Sequence, residues 1–186
     1  MKLGIMQAYF FPYLGYFQVI DAVDKFLIYE HVTFRKRSWI TRNRLLRKGT
    51  GEPYYINIPV RKASSFIRIS DIEVFIDLKW RNSMLQTIEL DYKRAPFFEN
   101  IYPVVKECLS NPTKSLHRFN AESIAIISQL LEIQTLIEYK NEDYQLLEES
   151  LSLEIDYDTK TKRILKICNH EGASTYINPI GGVELY

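Results

Sequence analysis

Apolar positions open the chain as a short continuous run. Leu3 and Ile5 with their neighbours make Lys2 to Gln7 a buried strand at the amino terminus. Leu14, Phe17, Val19, Ile20 and Val23 then recur at a helical period, so a helix is expected over 14–23. Phe26 to Tyr29 returns to an unbroken apolar run, the pattern of a parallel strand covered on both faces. Strand, turn, helix and strand in this order form a βαβ unit with a right-handed crossover.

Further along, the pattern predicts a short helix over Trp39 to Leu46 and a strand over Tyr54 to Val60. Phe66 to Ile69 and Ile72 to Val74 read as short extended pieces, and Lys79 to Leu90 as an amphipathic helix. Pro96 suits the first turn of another helix, and Asn111-Pro112-Thr113 breaks the chain. The strongest helical period runs from Leu116 to Leu131. Thr135 to Tyr139 is expected as a third buried strand, and Lys160 to His170 as a helix with Ile164, Leu165, Ile167 and Cys168 on its apolar side. Ala173 to Pro179 is the last strand, and Gly181-Gly182 follows it. A strand and a glycine pair ordinarily lead into a helix, so the carboxyl-terminal end reads as truncated.

Charge changes this picture in one place. The chain has 24 basic and 23 acidic residues, yet Val32 to Gly51 holds seven cations and no acid. They are Arg35, Lys36, Arg37, Arg42, Arg44, Arg47 and Lys48; the rest of the chain then has 17 basic residues against 23 acidic. A cationic patch on an otherwise acidic chain is suited to holding an anion. The near-neutral total argues against general nucleic-acid binding. No basic-then-apolar leader precedes the first strand, and no run approaches the length of a membrane span. Cys108 and Cys168 stand alone, as reduced cytoplasmic thiols do. With three scattered histidines, no metal site is expected.

The chemistry is expected where the first two strands end. In an open parallel sheet, ligands bind beyond the carboxyl ends of the strands. There the chain carries Tyr9, Pro12, Tyr13, Gly15 and Tyr16 in an aromatic turn. Pro12 stiffens the turn, Gly15 permits close backbone approach, and the helix that follows offers free amides to phosphate or carboxylate. Phe10, Phe11 and Phe17 read mainly as core, while Tyr13 and Tyr16 are candidates for exposed stacking faces. The cationic segment follows the second strand and should open on the same edge. Lys36, Arg37 and Arg42 would neutralise an anion, Trp39 would stack on a ring, and Asn43 and Asn178 would orient an acceptor. His31, or its neighbour Glu30, is the candidate base. The amides of Gly181 and Gly182 could hold a ligand oxygen.

These segments resemble the WbqC-like family. The resemblance rests on Met6-Gln7 with Tyr9 to Phe17, on Ala22 to Phe26, and on Phe34, Lys36-Arg37, Trp39-Ile40 and Arg42-Asn43. Ala95 to Phe98, Tyr176-Ile177-Asn178, Gly181-Gly182 and Glu184-Leu185-Tyr186 complete it. Departures from the family pattern are Glu30-His31, Ser38 and Thr41, which stand where acidic residues, a glycine and an asparagine are usual. The resemblance implies a transferase that attaches an acyl or aminoacyl group, such as glycyl, to a nucleotide-linked amino sugar in O-antigen or other surface-polysaccharide biosynthesis. ATP or another acyl donor would be the co-substrate. Two alternatives remain open: a non-catalytic module that holds a sugar nucleotide or a partner, and a nucleotide-binding protein. The second arises because Phe11 to Tyr16 looks like the phosphate-binding turn of adenylyl-transferring enzymes, which carry histidines where Tyr13 and Tyr16 stand. The expected fold is a Rossmann-like α/β domain over 1–186. Its open, mainly parallel sheet would have helices on both faces and a small inserted segment at 52–110.

Overall fold

The computed structural model describes residues 1–61, 63–139, 144–152 and 159–181. The chain folds as two compact units. The first contains Met1–Ala8, Pro12–Val32 and the chain from Ser128 onward; the second contains Tyr9–Phe11 and Thr33–Ile127. The segment 52–110 lies inside the second unit.

The first unit is an open, wholly parallel four-stranded sheet. Strand β1 (Lys2–Met6) is followed by helix α1 (Leu14–Asp21) and strand β2 (Lys25–Ile28). After the second unit come β7 (Leu136–Glu138), helices α5 (Gln145–Ser152) and α6 (Thr159–His170), and β8 (Thr175–Ile177). The order is β7-β2-β1-β8, with Ile5 opposite Leu27 and Leu3 opposite Tyr176.

Alternation along the strands sends successive side chains to opposite faces. Leu3, Ile5, Leu27 and Tyr29 pack with Ile167 of α6, Tyr144 and Leu147. On the other face Phe26 meets the Tyr16 ring of α1 edge-on, with centroids 5.4 Å apart. Gly4 lies beneath that ring pair, and a Cβ there would stand 2.7 Å from Phe26. Helices therefore cover both faces. Each fully buried Leu, Ile or Phe contributes roughly 1.5–3 kcal/mol to holding these layers.

The second unit is built from hairpins and helices. Strands β3 (Arg42–Leu46) and β4 (Pro53–Asn57) pair antiparallel, as do β5 (Val60–Arg61) and β6 (Glu73–Val74). A 3-10 turn at Ile69–Asp71 precedes β6. Helices α2 (Leu78–Tyr92), α3 (Phe98–Leu109) and most of α4 (Leu116–Leu130) complete it. Asp77 caps α2 by accepting from the Trp80 amide at 2.7 Å. Asn120, fully buried on α4, donates to the Ile40 carbonyl at 2.8 Å and fixes the chain just before β3.

Several expectations are corrected. Trp39 to Leu46 is not a helix: Arg42 to Leu46 form β3, in register with β4. The segment has no apolar stripe for a helix to bury, whereas alternation lets each arginine lie against a ring. Pro96 sits in a turn before Phe97, the cap of α3, and so outside its first helical turn. Strand β7 is an edge strand with Leu136 61% exposed, so it is not buried. Leu165 points to solvent, because only Ile164, Ile167 and Cys168 share the spacing that reaches the sheet. Helix α5 was not anticipated; its acidic residues masked the apolar Leu147 and Leu151. The region past Gly181, where a truncated end was expected, lies outside the described residues.

Candidate functional site

Phe10 and Phe11 meet the cationic segment within the second unit through three backbone carbonyls. The Phe10 amide donates to the Trp39 carbonyl at 2.8 Å. Asn43, on the side of β3 opposite Arg42 and Arg44, donates through Nδ2 to the carbonyl of Phe10 at 2.9 Å and to that of Phe11. Its Oδ1 accepts from the Arg44 amide at 2.7 Å. Asn43 therefore clamps the turn, rather than lying free to orient an acceptor. The clamp holds Phe11 in the left-handed region, at φ 46°, a conformation that costs a residue with a Cβ roughly 1–2 kcal/mol. Arg37 takes the same conformation, at φ 57°, in the exposed turn that also carries Lys36.

On the outer face of β3 the cations stand over rings. The Arg42 guanidinium carbon is 4.5 Å from the Tyr55 centroid and 6.0 Å from that of Trp39. Arg44 lies 5.3 Å from Trp39. Trp39 is half exposed, as is Tyr55. Across the hairpin, Arg47 covers Tyr54 at 4.8 Å, and the Tyr54 hydroxyl donates to Asp91 at 2.6 Å. Burial, then the Asp91 bond, pushes the Tyr54 phenol up to about 12. The same bond, helped by the Lys48 amide, holds the Asp91 carboxyl below its ordinary range.

In the first unit the strand order reverses direction between β1 and β8, the place where open sheets take ligands. Gln7 follows β1 there and Asn178 follows β8; both are half-buried. Pro12 and Tyr13 lead into α1, whose Tyr13 cap makes no side-chain bond and whose first turn holds no acid. Tyr13 is 60% exposed, but its ring occupies the space over Gly15, 2.3 Å from where a Cβ would stand. Gly15 thus makes room for Tyr13. Tyr16 is fully buried and donates to the Gln7 carbonyl at 2.9 Å, which corrects the expectation of an exposed stacking face. Phe10 and Phe17 are core, as read from the sequence.

Glu30 and His31 follow β2, both half-buried, and the His31 ring stands edge-on to Tyr29 at 5.7 Å. A buried polar cluster lies behind them, unsignalled in the sequence. The Tyr29 hydroxyl donates to Glu148 at 2.5 Å, and Arg163 grips the same carboxylate through Nε and Nη2. Its members are 119 and 15 residues apart, beyond the reach of any local pattern.

Gly181 is exposed, with open space where a Cβ would stand; Gly182 and Glu184-Leu185-Tyr186 lie outside the described residues. Burial pushes the Cys108 thiol up to about 11 and raises Cys168 as well. Among the described residues, no three His, Cys, Asp or Glu side chains gather as a metal site would require. No helix among them is long and apolar enough to cross a membrane.

Sheet and hairpins together define an open α/β protein whose second unit carries stacked cations and rings. The chain belongs to the WbqC-like protein family, whose model matches residues 7–186. It is also similar to the uncharacterized protein Rv1507c of Mycobacterium tuberculosis (strain ATCC 25618 / H37Rv). The two are 26% identical over 178 residues, spanning 95% of this chain and 71% of that relative. No solved structure matches the chain at a significant level.

Proposed function

We propose that this protein is a cytoplasmic transferase that joins an acyl or aminoacyl group to a nucleotide-linked amino sugar during surface-polysaccharide biosynthesis. The single observation that carries the reading is the Asn43 clamp, which ties Phe10 and Phe11 to the cationic segment. The Phe10-Phe11 part of the aromatic motif is thereby bonded to β3, whose outer face bears the guanidinium edges that this reading assigns to an anionic substrate. The choice of sugar nucleotide and acyl group follows what the resemblance to the family implies.

In this reading the acceptor amine attacks the acyl carbon of an activated donor. The donor's leaving group departs with the bonding electrons, and the amine proton passes to a base, His31 or Glu30. Lys36, Arg37 and Arg42 neutralise the phosphate and the charge that builds on the acyl oxygen. Trp39 stacks on the ring of the substrate. Gln7, Tyr9, Pro12, Tyr13, Gly15, Asn178 and the glycine pair are the remaining binding candidates. Burial raises both thiols, so neither cysteine is assigned a role as acyl carrier.

Isothermal titration and thermal melting with nucleotide-linked amino sugars and adenine nucleotides test this. Binding that is lost in Arg37→Ala and Arg42→Ala, with product formed from an acyl donor, is the expected result. No binding of any of these ligands would overturn it. A second reading, in which no side chain is assigned as nucleophile, is a module that holds the sugar nucleotide without turning it over. Affinity without product for every donor class would select that reading.

A further inference from the structure

We propose that the β3–β4 hairpin is a diphosphate grip, formed by Arg42 and Arg44 with their planes set by Trp39 and Tyr55. The proposal rests on the reading above that the ligand is a sugar nucleotide. It adds that the diphosphate is the recognised group, and it gives individual roles to Arg44, one of the seven cations of the patch, and to Tyr55.

Arg42 and Arg44 are two apart on one strand, so both project from the same face with Cα atoms about 7 Å apart. Tyr55 stands directly across from Arg44 in the antiparallel register. The contacts described above then run in alternation, Tyr55 to Arg42 to Trp39 to Arg44, ring against cation at each step. A guanidinium laid over a ring spends its face there and keeps the N–H groups at its rim for an acceptor. Among the described residues, neither guanidinium makes a hydrogen bond or an ion pair, and Arg42 Nε is buried without a partner.

Such a pair is costly without a ligand. Two like charges on one strand face repel, and among the described residues neither is paired with a carboxylate. Arg47, by contrast, belongs to the opposite ring of the hairpin, Tyr54, whose hydroxyl is tied down by Asp91. Two neighbouring guanidiniums, each able to bind bidentately, match two linked phosphates with one guanidinium to each. The exposed rings of Trp39 and Tyr55 lie beside them to cover the base or sugar.

Isothermal titration of the full chain with uridine diphosphate, uridine monophosphate and pyrophosphate tests the grip. Wild type should bind uridine diphosphate at least about tenfold more tightly than the monophosphate, and pyrophosphate should compete for the same site. Arg44→Gln should erase that preference, Tyr55→Leu should weaken diphosphate binding several-fold, and Tyr55→Phe should keep it. Thermal melting establishes that each variant is folded. Equal affinity for the two nucleotides in wild type, or unchanged diphosphate affinity in folded Arg44→Gln, overturns the proposal. The two readings separate cleanly. An Arg44-dependent diphosphate preference without any acyl transfer sinks the transferase and keeps the grip. Transfer by Arg44→Gln at wild-type KM for the sugar nucleotide does the reverse.

Discussion

Asn43 Nδ2 donates to the carbonyl of Phe10 at 2.9 Å and spans to that of Phe11, so one side chain of β3 sets the path of a turn more than thirty residues earlier. Replacing Asn43 with Ala leaves both carbonyls without this donor and releases Phe11 from its left-handed conformation. A loss of about 1–3 kcal/mol is expected, read as a lower midpoint in urea. Asn43→Asp should cost more than Asn43→Ala, because a carboxylate oxygen would then face carbonyl oxygens. Equal stability of all three proteins would show that the clamp carries no weight.

Gly4 is required by its neighbour. A Cβ at this position would stand 2.7 Å from Phe26 Cδ2, and Phe26 is fully buried against Tyr16. Gly4→Ala should therefore destabilise by about 1–3 kcal/mol, as overpacked cores do. Adding Phe26→Leu should restore part of the loss relative to Phe26→Leu alone, which a double-mutant cycle measures.

The Glu148–Arg163 pair sits behind Tyr29 with little solvent access. Arg163→Met should cost about 3–5 kcal/mol, because the buried Glu148 carboxylate would lose the guanidinium that grips it. The double variant Glu148→Leu/Arg163→Met should lose much less. A double variant as unstable as Arg163→Met would mean that the site needs the ion pair itself.

The Tyr54–Asp91 bond ties the hairpin to the end of α2 and makes its stability pH-dependent. Asp91 is depressed in the folded state, first by the Tyr54 hydroxyl and then by the Lys48 amide. Its contribution is present above the ordinary carboxyl range and is lost as pH falls through the lowered value. Tyr54 is raised to about 12, so its contribution is present below the ordinary phenol value and fades as pH climbs toward 12. Tyr54→Phe should move the Asp91 titration, followed by carboxyl NMR shifts, back toward the ordinary range. An Asp91 titration identical in both proteins would remove the coupling.

The cysteines offer a check at alkaline pH. Cys108 is raised to about 11 by burial in an apolar layer. It contributes stability that is full below the ordinary thiol value and is lost as pH rises toward 11. Alkylation of Cys108 at pH 8 should accordingly track global unfolding in urea, and labelling of the native protein at a free-thiol rate would contradict its burial.

The chain's own pattern determined the sheet unit well. Leu3, Ile5 and Phe26 to Ile28 read as buried parallel strands because a strand covered on both faces has only apolar neighbours to offer. The helical periods of α1, α4 and α6 were equally legible, since each buries a stripe whose spacing the helix itself imposes. The cation count and the aromatic turn could be read directly, because composition needs no partner. What Arg42, Asn43 and Arg44 do could not be. Local polarity suggested a helix there, and only pairing with β4 turned the segment into a strand with arginines on one face and Asn43 on the other. Likewise, the burial of Tyr16, the room left for Tyr13 at Gly15 and the grouping of Tyr29, Glu148 and Arg163 came from tertiary packing. A side chain's period is written in its near neighbours, whereas its partner is chosen by residues far along the chain that only the folded molecule brings within bonding distance.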